Sequence, residues 1–167
     1  APVLASATNS PILFGKRLWR ETRIALFQQA VDTRSSNLYL RETSPRVHFG
    51  SEWVQSSVAE IYKEDIARFR VIIGGDFDDS MEQLEAGEIP KLKALALHNG
   101  TVYRWNRACY GITDGKPHLR IENRILPAGP SVVDEVANAA FWFGLVVGLA
   151  DRHDDIKPLI PFDAAKA

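Results

Sequence analysis

Between His118 and Pro130 the chain reads H-L-R-I-E-N-R-I-L-P-A-G-P, and no other stretch restricts the fold as strongly. Arg120, Glu122 and Arg124 alternate with Leu119, Ile121, Asn123 and Ile125. A period of two belongs to a β-strand with two unlike faces, here one Arg–Glu–Arg face and one mostly aliphatic face. Side chains two apart on one face stand about 7 Å from each other, at a rise of ~3.3 Å per residue. A carboxylate held between two guanidinium groups stays ionised and can bind a divalent cation. The guanidinium groups themselves grip anionic oxygens in a bidentate manner. Such a face suits a metal–phosphate site. A solvated sheet face with cross-strand ion pairs, each contributing about 0.2–1 kcal/mol, has the same pattern. On this strand alone both readings stay open.

The neighbouring segments supply a partner strand and a cover. Thr101 to Arg107 is β-branched, aromatic and basic, which predicts a strand. The turn residues of Thr113-Asp-Gly-Lys-Pro117 then predict an antiparallel hairpin of 101–107 with 118–126. Unbroken alternation puts Arg104 and Asn106 on one face and Arg107 on the other, with Tyr103 and Trp105. If Arg104 joins the Arg–Glu–Arg row, four charged groups converge on a face that favours an anionic ligand. After Pro130, Ser131 is a good N-cap, with Asp134 and Glu135 in the first turn of a helix over 131–149. Its almost wholly apolar run, 136–150, is 15 residues long and contains Asn138. That is too short for a membrane span, so the helix is expected to be buried against one face of the hairpin. Ala137, Ala140, Gly144 and Gly148 form a small-residue track suited to close approach.

At 167 residues one domain is expected, with ordinary globular values of 46% hydrophobic and 25% charged residues. A formal charge of −1 gives no global pull toward nucleic acid or an anionic membrane. Cys109 is alone, which excludes an internal disulfide and suits a reducing, cytoplasmic setting; the thiol reads as structural or incidental. His48, His98, His118 and His153 show no zinc-type spacing. The opening Ala1-Pro2-Val3 lacks a signal-peptide pattern, and the chain reads as an excised piece of something longer.

Residues 1–15 are expected as loop, then a helix over 16–33 bearing an arginine stripe of Arg17, Arg20 and Arg23. A polar connection over 34–50 leads to a helix over 51–67 that buries Val54, Val58, Ile61, Tyr62 and Ile66. Its acids Glu52, Glu60, Glu64 and Asp65 are expected to be solvated. A strand over 68–73, a short surface helix within 76–87 and a helix from Pro90 through Leu97 follow. Residues 151–167 read as an irregular tail. The fold class is α+β: an antiparallel hairpin or sheet packed by helices.

His98-Asn-Gly-Thr-Val-Tyr-Arg-Trp-Asn-Arg107, Leu119-Arg-Ile-Glu-Asn-Arg-Ile-Leu-Pro-Ala-Gly-Pro130 and Val136-Ala-Asn-Ala-Ala140 resemble the C-terminal part of glutamate–cysteine ligase type 2 proteins. Asn9-Ser-Pro-Ile-Leu-Phe-Gly15 with the arginine stripe resembles another segment of that group. These are carboxylate–amine ligases with a glutamine-synthetase-like fold. The resemblance implies ATP-dependent ligation, in which a glutamate carboxylate is activated as an acyl phosphate and attacked by an amine such as cysteine. It implies that Glu122 binds Mg²⁺ and that Arg120 and Arg124 act on phosphate or substrate carboxylate. Arg104 and Arg107 fall in the matched neighbouring strand as cofactor-binding candidates. The chain departs from the family in one respect. No E-x-E-type strand supplies further metal ligands, since Glu82, Glu85 and Glu88 sit in a polar segment. An incomplete ligase, inactive alone, is the expectation; a nucleotide- or metabolite-binding pseudoenzyme and a non-catalytic interaction domain are the alternatives.

Overall fold

The computed structural model describes residues 10–34 and 44–166. It is a mixture of helices and small sheets, in keeping with the α+β expectation. The chain divides into two compact units. The first comprises 1–30, 51–53 and 124–167, and the second 31–50 and 54–123.

The first unit opens on a short hairpin, β1 (Ile12–Leu13) with β2 (Lys16–Arg17), paired antiparallel. Its two-residue turn is Phe14–Gly15, both at positive φ (52° and 72°), the geometry whose twist matches flanking strands. The expected helix over 16–33 is therefore shortened to α1, Thr22–Ala30. The arginine stripe breaks with it, since Arg17 lies on β2 and Arg23 on α1. Glu21, buried, accepts hydrogen bonds from the backbone N–H groups of Ser10 (2.8 Å) and Arg23 (3.1 Å). The Arg23 guanidinium donates in turn to the carbonyls of Arg124 and Ile125. This staple flanks an open apolar cavity of about 700 Å³ lined by Ile12, Leu26, Phe27 and Leu126.

α5 (Val132–Arg152) starts as expected, with the Ser131 hydroxyl accepting from the Asp134 N–H. It departs from expectation in two ways. It is 21 residues long, and none of them is buried. By length and composition it could cross a membrane, with a mean hydropathy of 1.5 over its best 18 residues. The expected cover for the hairpin is thus an exposed apolar helix, and hairpin and helix belong to different units. The tail is more regular than expected, with a 3₁₀ turn at Lys157–Leu159 and α6 at Phe162–Lys166. Trp53 donates its indole N–H to the Ile160 carbonyl and meets Phe162 edge-on.

The second unit contains the core of buried polar and apolar residues. β3 (Val47–His48) pairs in parallel with β4 (Tyr103–Arg104). The polar connection expected over 34–50 thus ends in a buried strand; its residues 35–43 lie outside the described residues. The helix expected over 51–67 starts late, as α2 (Ala59–Arg68). The Glu60 carboxylate explains the delay, because it accepts from the N–H groups of Gln55, Ser56 and Ser57 and from the Ser56 hydroxyl. These donors hold the Glu60 carboxyl at about 2, well below the usual carboxylate range. A depressed folded pKa supports folding above the unfolded value near 4.5 and loses that support as pH falls toward 2. Carboxyl NMR titration should accordingly show Glu60 ionised at pH 3, with the amides of 55–57 unmoved. A midpoint above 4 would show the cap to be absent in solution.

No strand forms over 68–73: Phe69 is buried, while Val71, Ile72 and Ile73 are exposed. α3 (Ser80–Glu85) is capped by Asp79, and α4 spans Lys93–Gly100. β5 (Asn106–Thr113) and β6 (Lys116–Asn123) make an antiparallel hairpin, turning at Asp114–Gly115 with φ of 51° and 72°; its first strand begins at Asn106 rather than at 101, because Tyr103–Arg104 pairs with β3 instead. The aliphatic face expected to pack is open, with Leu119 56% and Ile121 51% exposed.

Candidate anion site on the β5–β6 hairpin

The register decides which charges meet. Asn106 pairs with Asn123, Arg107 with Glu122, Ala108 with Ile121 and Cys109 with Arg120. Directly opposed residues share a face, so Arg107, Cys109, Arg120 and Glu122 form one surface. Arg107, expected on the far face, joins the row, and Arg104 leaves it. The cause is the register of β5 on β6, which sets Arg107 opposite Glu122, while Arg104 pairs in β4 with His48 of β3.

Arg107 Nη2 donates to Glu122 Oε2 at 2.6 Å. Burial opposes the Arg107 charge, but the contacts with Glu122 and Cys109 together outweigh it and its pKa rises. Cys109 Sγ lies 3.9 Å from the same Glu122 oxygen and 3.8 Å from the Arg107 carbonyl. The thiol is buried, in keeping with a structural role. Arg120 is exposed, and its Nη1 lies over Gly111, where a Cβ would come within 2.6 Å of it. Gly111 therefore lets the guanidinium lie across the neighbouring strand.

Below this face is a cavity of about 160 Å³ between the hairpin, α2 and α4. Tyr62, Asn99, Arg107, Cys109, Tyr110 and Arg120 supply its polar lining. Asn99 donates to the Ala108 carbonyl (2.9 Å) and Tyr110 to the Pro90 carbonyl (2.8 Å), which fixes β5 over α4. Burial pushes the Tyr62 hydroxyl up, so at neutral pH it keeps its proton and remains a donor. The sequence places Tyr62 only on the buried face of its helix. The pairing of that helix with the hairpin, invisible in the sequence, is what brings it beside the arginines.

The two other candidate arginines lie elsewhere. Arg124 follows the end of β6 and belongs to the first unit. Arg104, 4% exposed, donates through Nε to both Asp65 oxygens (2.9 and 3.0 Å) and through Nη1 to the Phe49 carbonyl. Its Nη2 contacts Glu64, which also pairs with Arg68 at 3.2 Å. His48 completes the network: Nδ1 accepts from the Gly50 N–H, and Nε2 faces Asp65 Oδ1 at 3.5 Å. Gly50 is required here, since its φ is 103° and a Cβ would lie 2.5 Å from Arg104 Nη1. Burial raises the Asp65 pKa although Arg104 opposes it, whereas Asp65 and Glu64 outweigh burial and raise that of Arg104. The two shifts favour opposite states of one pair. The bidentate contact supports the ionised pair, in which both carboxylate oxygens act as acceptors. Glu64 and Asp65, expected in solvent, thus neutralise a buried arginine.

Among the described residues no group of three or more His, Cys, Asp or Glu could hold a metal ion. Glu122 supplies a single carboxylate, and Arg107 already engages it. No family model, curated protein or solved structure matches the chain.

Proposed function

We propose that the hairpin face belongs to an ATP-dependent carboxylate–amine ligase site, of the glutamate–cysteine ligase type 2 kind, on a glutamine-synthetase-like fold. The observation that carries this reading is the convergence of Arg107 and Arg120 at one cavity, with Glu122 paired to Arg107 on the same hairpin face. Phosphoryl transfer is mostly positioning and charge neutralisation, and two guanidinium groups beside one carboxylate supply both. Glu122 would contribute one carboxylate to a Mg²⁺ ion whose other ligands come from nucleotide phosphates and water. The metal would neutralise phosphate charge. Arg120 and Arg107 grip oxygens of the phosphate or the substrate carboxylate. Arg104 acts instead by holding β4 in place, two residues before the hairpin begins. The donor is glutamate, the acceptor an amine such as cysteine, and a cytoplasmic, reducing setting fits the single thiol.

The contact of Glu122 with Arg107 also favours a second reading, a ligase-like protein that binds nucleotide or an acidic metabolite without turnover. One assay separates the two. In the full-length parent protein with Mg-ATP, a ligase releases ADP only when both glutamate and cysteine are supplied. Nucleotide-dependent thermal stabilisation without ADP release would select the binding protein, and neither response would remove both.

A further inference from the structure

Among the described residues, β6 has a partner strand on one side only: β5 covers one edge, and no strand pairs with the other. The turn fixes which backbone groups that open edge offers. With two residues at positive φ between them, Thr113 and Lys116 form the first hydrogen-bonded pair of the ladder. Hydrogen-bonded and non-hydrogen-bonded pairs alternate from there, so Lys116, His118, Arg120 and Glu122 aim their N–H and C=O groups at β5. Leu119, Ile121 and Asn123 aim theirs outward, and so does Pro117, which has no N–H to offer. Leu119, Arg120 and Ile121 are consecutive and all exposed, so both faces of the strand are open beside that edge. Sheet edges are commonly blunted by Pro or Lys, and here Lys116 and Pro117 do so only at the turn end. Residues 119–123 are left as a template for another strand.

We propose that this edge joins a second copy of the same chain, β6 against β6 and antiparallel, about a two-fold axis at Ile121. Charge selects both the occupant and the register. With Ile121 opposite its own copy, Leu119 stands opposite Asn123, and outward backbone groups meet outward backbone groups throughout. Arg120 then stands opposite Glu122 of the second copy, and the symmetry makes this pair twice. Both pairs fall at non-hydrogen-bonded positions, where side chains come closest. An axis at Arg120 would instead set two like charges face to face. An axis at Leu119 would bring Pro117 opposite Ile121, where a ladder bond is lost. Among the described residues Arg120 has no ion pair, and its Nη1 lies over Gly111. Glu122 already receives Arg107, and a carboxylate can accept from two guanidinium groups at once. Across the joined sheet the row reads Arg107, Glu122, Arg120, so each carboxylate lies between two cations. The proposal concerns the edge of β6 and does not draw on the ligase reading.

Sedimentation velocity of the 167-residue chain is the test. At about 100 μM it should run as a dimer, at twice 18.6 kDa, and dissociate on dilution to about 1 μM, as expected of a small interface. Ile121→Lys sets two ammonium groups against each other at the axis and should weaken association by about tenfold or more. Its far-ultraviolet circular dichroism should be unchanged, because Ile121 is exposed. Arg120→Glu, which places like charges across the edge, should weaken association in the same way, whereas Val147→Glu on the exposed face of α5 should leave it intact. Oxidation reads the register: in a Cys109→Ser background, Ile121→Cys should cross-link about tenfold faster than Leu119→Cys, since only the axis residue faces its own copy. A monomer at about 100 μM would overturn the proposal. So would a dimer that survives Ile121→Lys, which would place the contact elsewhere, or faster cross-linking at Leu119 than at Ile121.

Discussion

Arg104→Ala lowers the stability of the second unit by about 3–5 kcal/mol, the range for stripping one partner from a buried ion pair. The substitution leaves Asp65, 2% exposed, as a buried charge facing His48, and leaves Glu64 to Arg68. It also removes the donor to the Phe49 carbonyl, which Gly50 brings within reach. Arg104→Lys should recover little of the loss, because an ammonium cannot match the bidentate contact with Asp65 while also reaching Glu64. Urea unfolding with hydrogen exchange at Val102 and Ala108 measures the change in this unit. A cost below about 1 kcal/mol, the range of an exposed pair, would mean that the network is not what secures β4 against β3.

That result also bears on the site, because β4 feeds directly into β5. The hairpin is positioned by three attachments: the β3–β4 pairing, the Asn99 bond to the Ala108 carbonyl, and the Tyr110 bond to the Pro90 carbonyl. Loosening the first should disturb the Arg107–Glu122 face before it unfolds the unit. Arg104 is in this sense a positioning residue.

The turn and the second strand of the hairpin are legible in the sequence, because an Asp-Gly turn and alternation are local signals; the first strand, expected over 101–107, forms over Asn106–Thr113 instead. Ser131 as a helix cap is legible for the same reason. Which arginine faces Glu122 is not. The register of β5 on β6 decides it, and a β-branched and aromatic run carries no mark of which residue will stand opposite Glu122. Charge alone is a poor guide to the buried acids. The position of Asp65, four residues after Ile61, places it on the inward side of α2, where an acid implies a cationic partner. The helix over 16–33 fails for the opposite reason, since a three-residue arginine spacing resembles a helical stripe although Phe14–Gly15 forms a strand turn. Counting the apolar run alone underestimates the length of α5. Asp151 and Arg152 continue the helix to the His153 cap.

The claim on which the rest depends is that the Arg107–Glu122–Arg120 face serves a ligand. Its most direct test is turnover per folded molecule of Glu122→Gln in the full-length parent protein at saturating Mg-ATP, glutamate and cysteine, with the thermal midpoint measured on the same samples. Losing one charged phosphate or metal contact costs about 2–4 kcal/mol of transition-state stabilisation, by analogy with other electrostatic catalytic groups. At about 1.4 kcal/mol per tenfold, turnover should fall roughly 30-fold or more. The midpoint should hardly move, because Glu122, 39% exposed, forms a partly solvated pair of the kind worth about 0–1 kcal/mol. Unchanged turnover with a clearly lowered midpoint would contradict the account and make the pair a structural cross-strand contact.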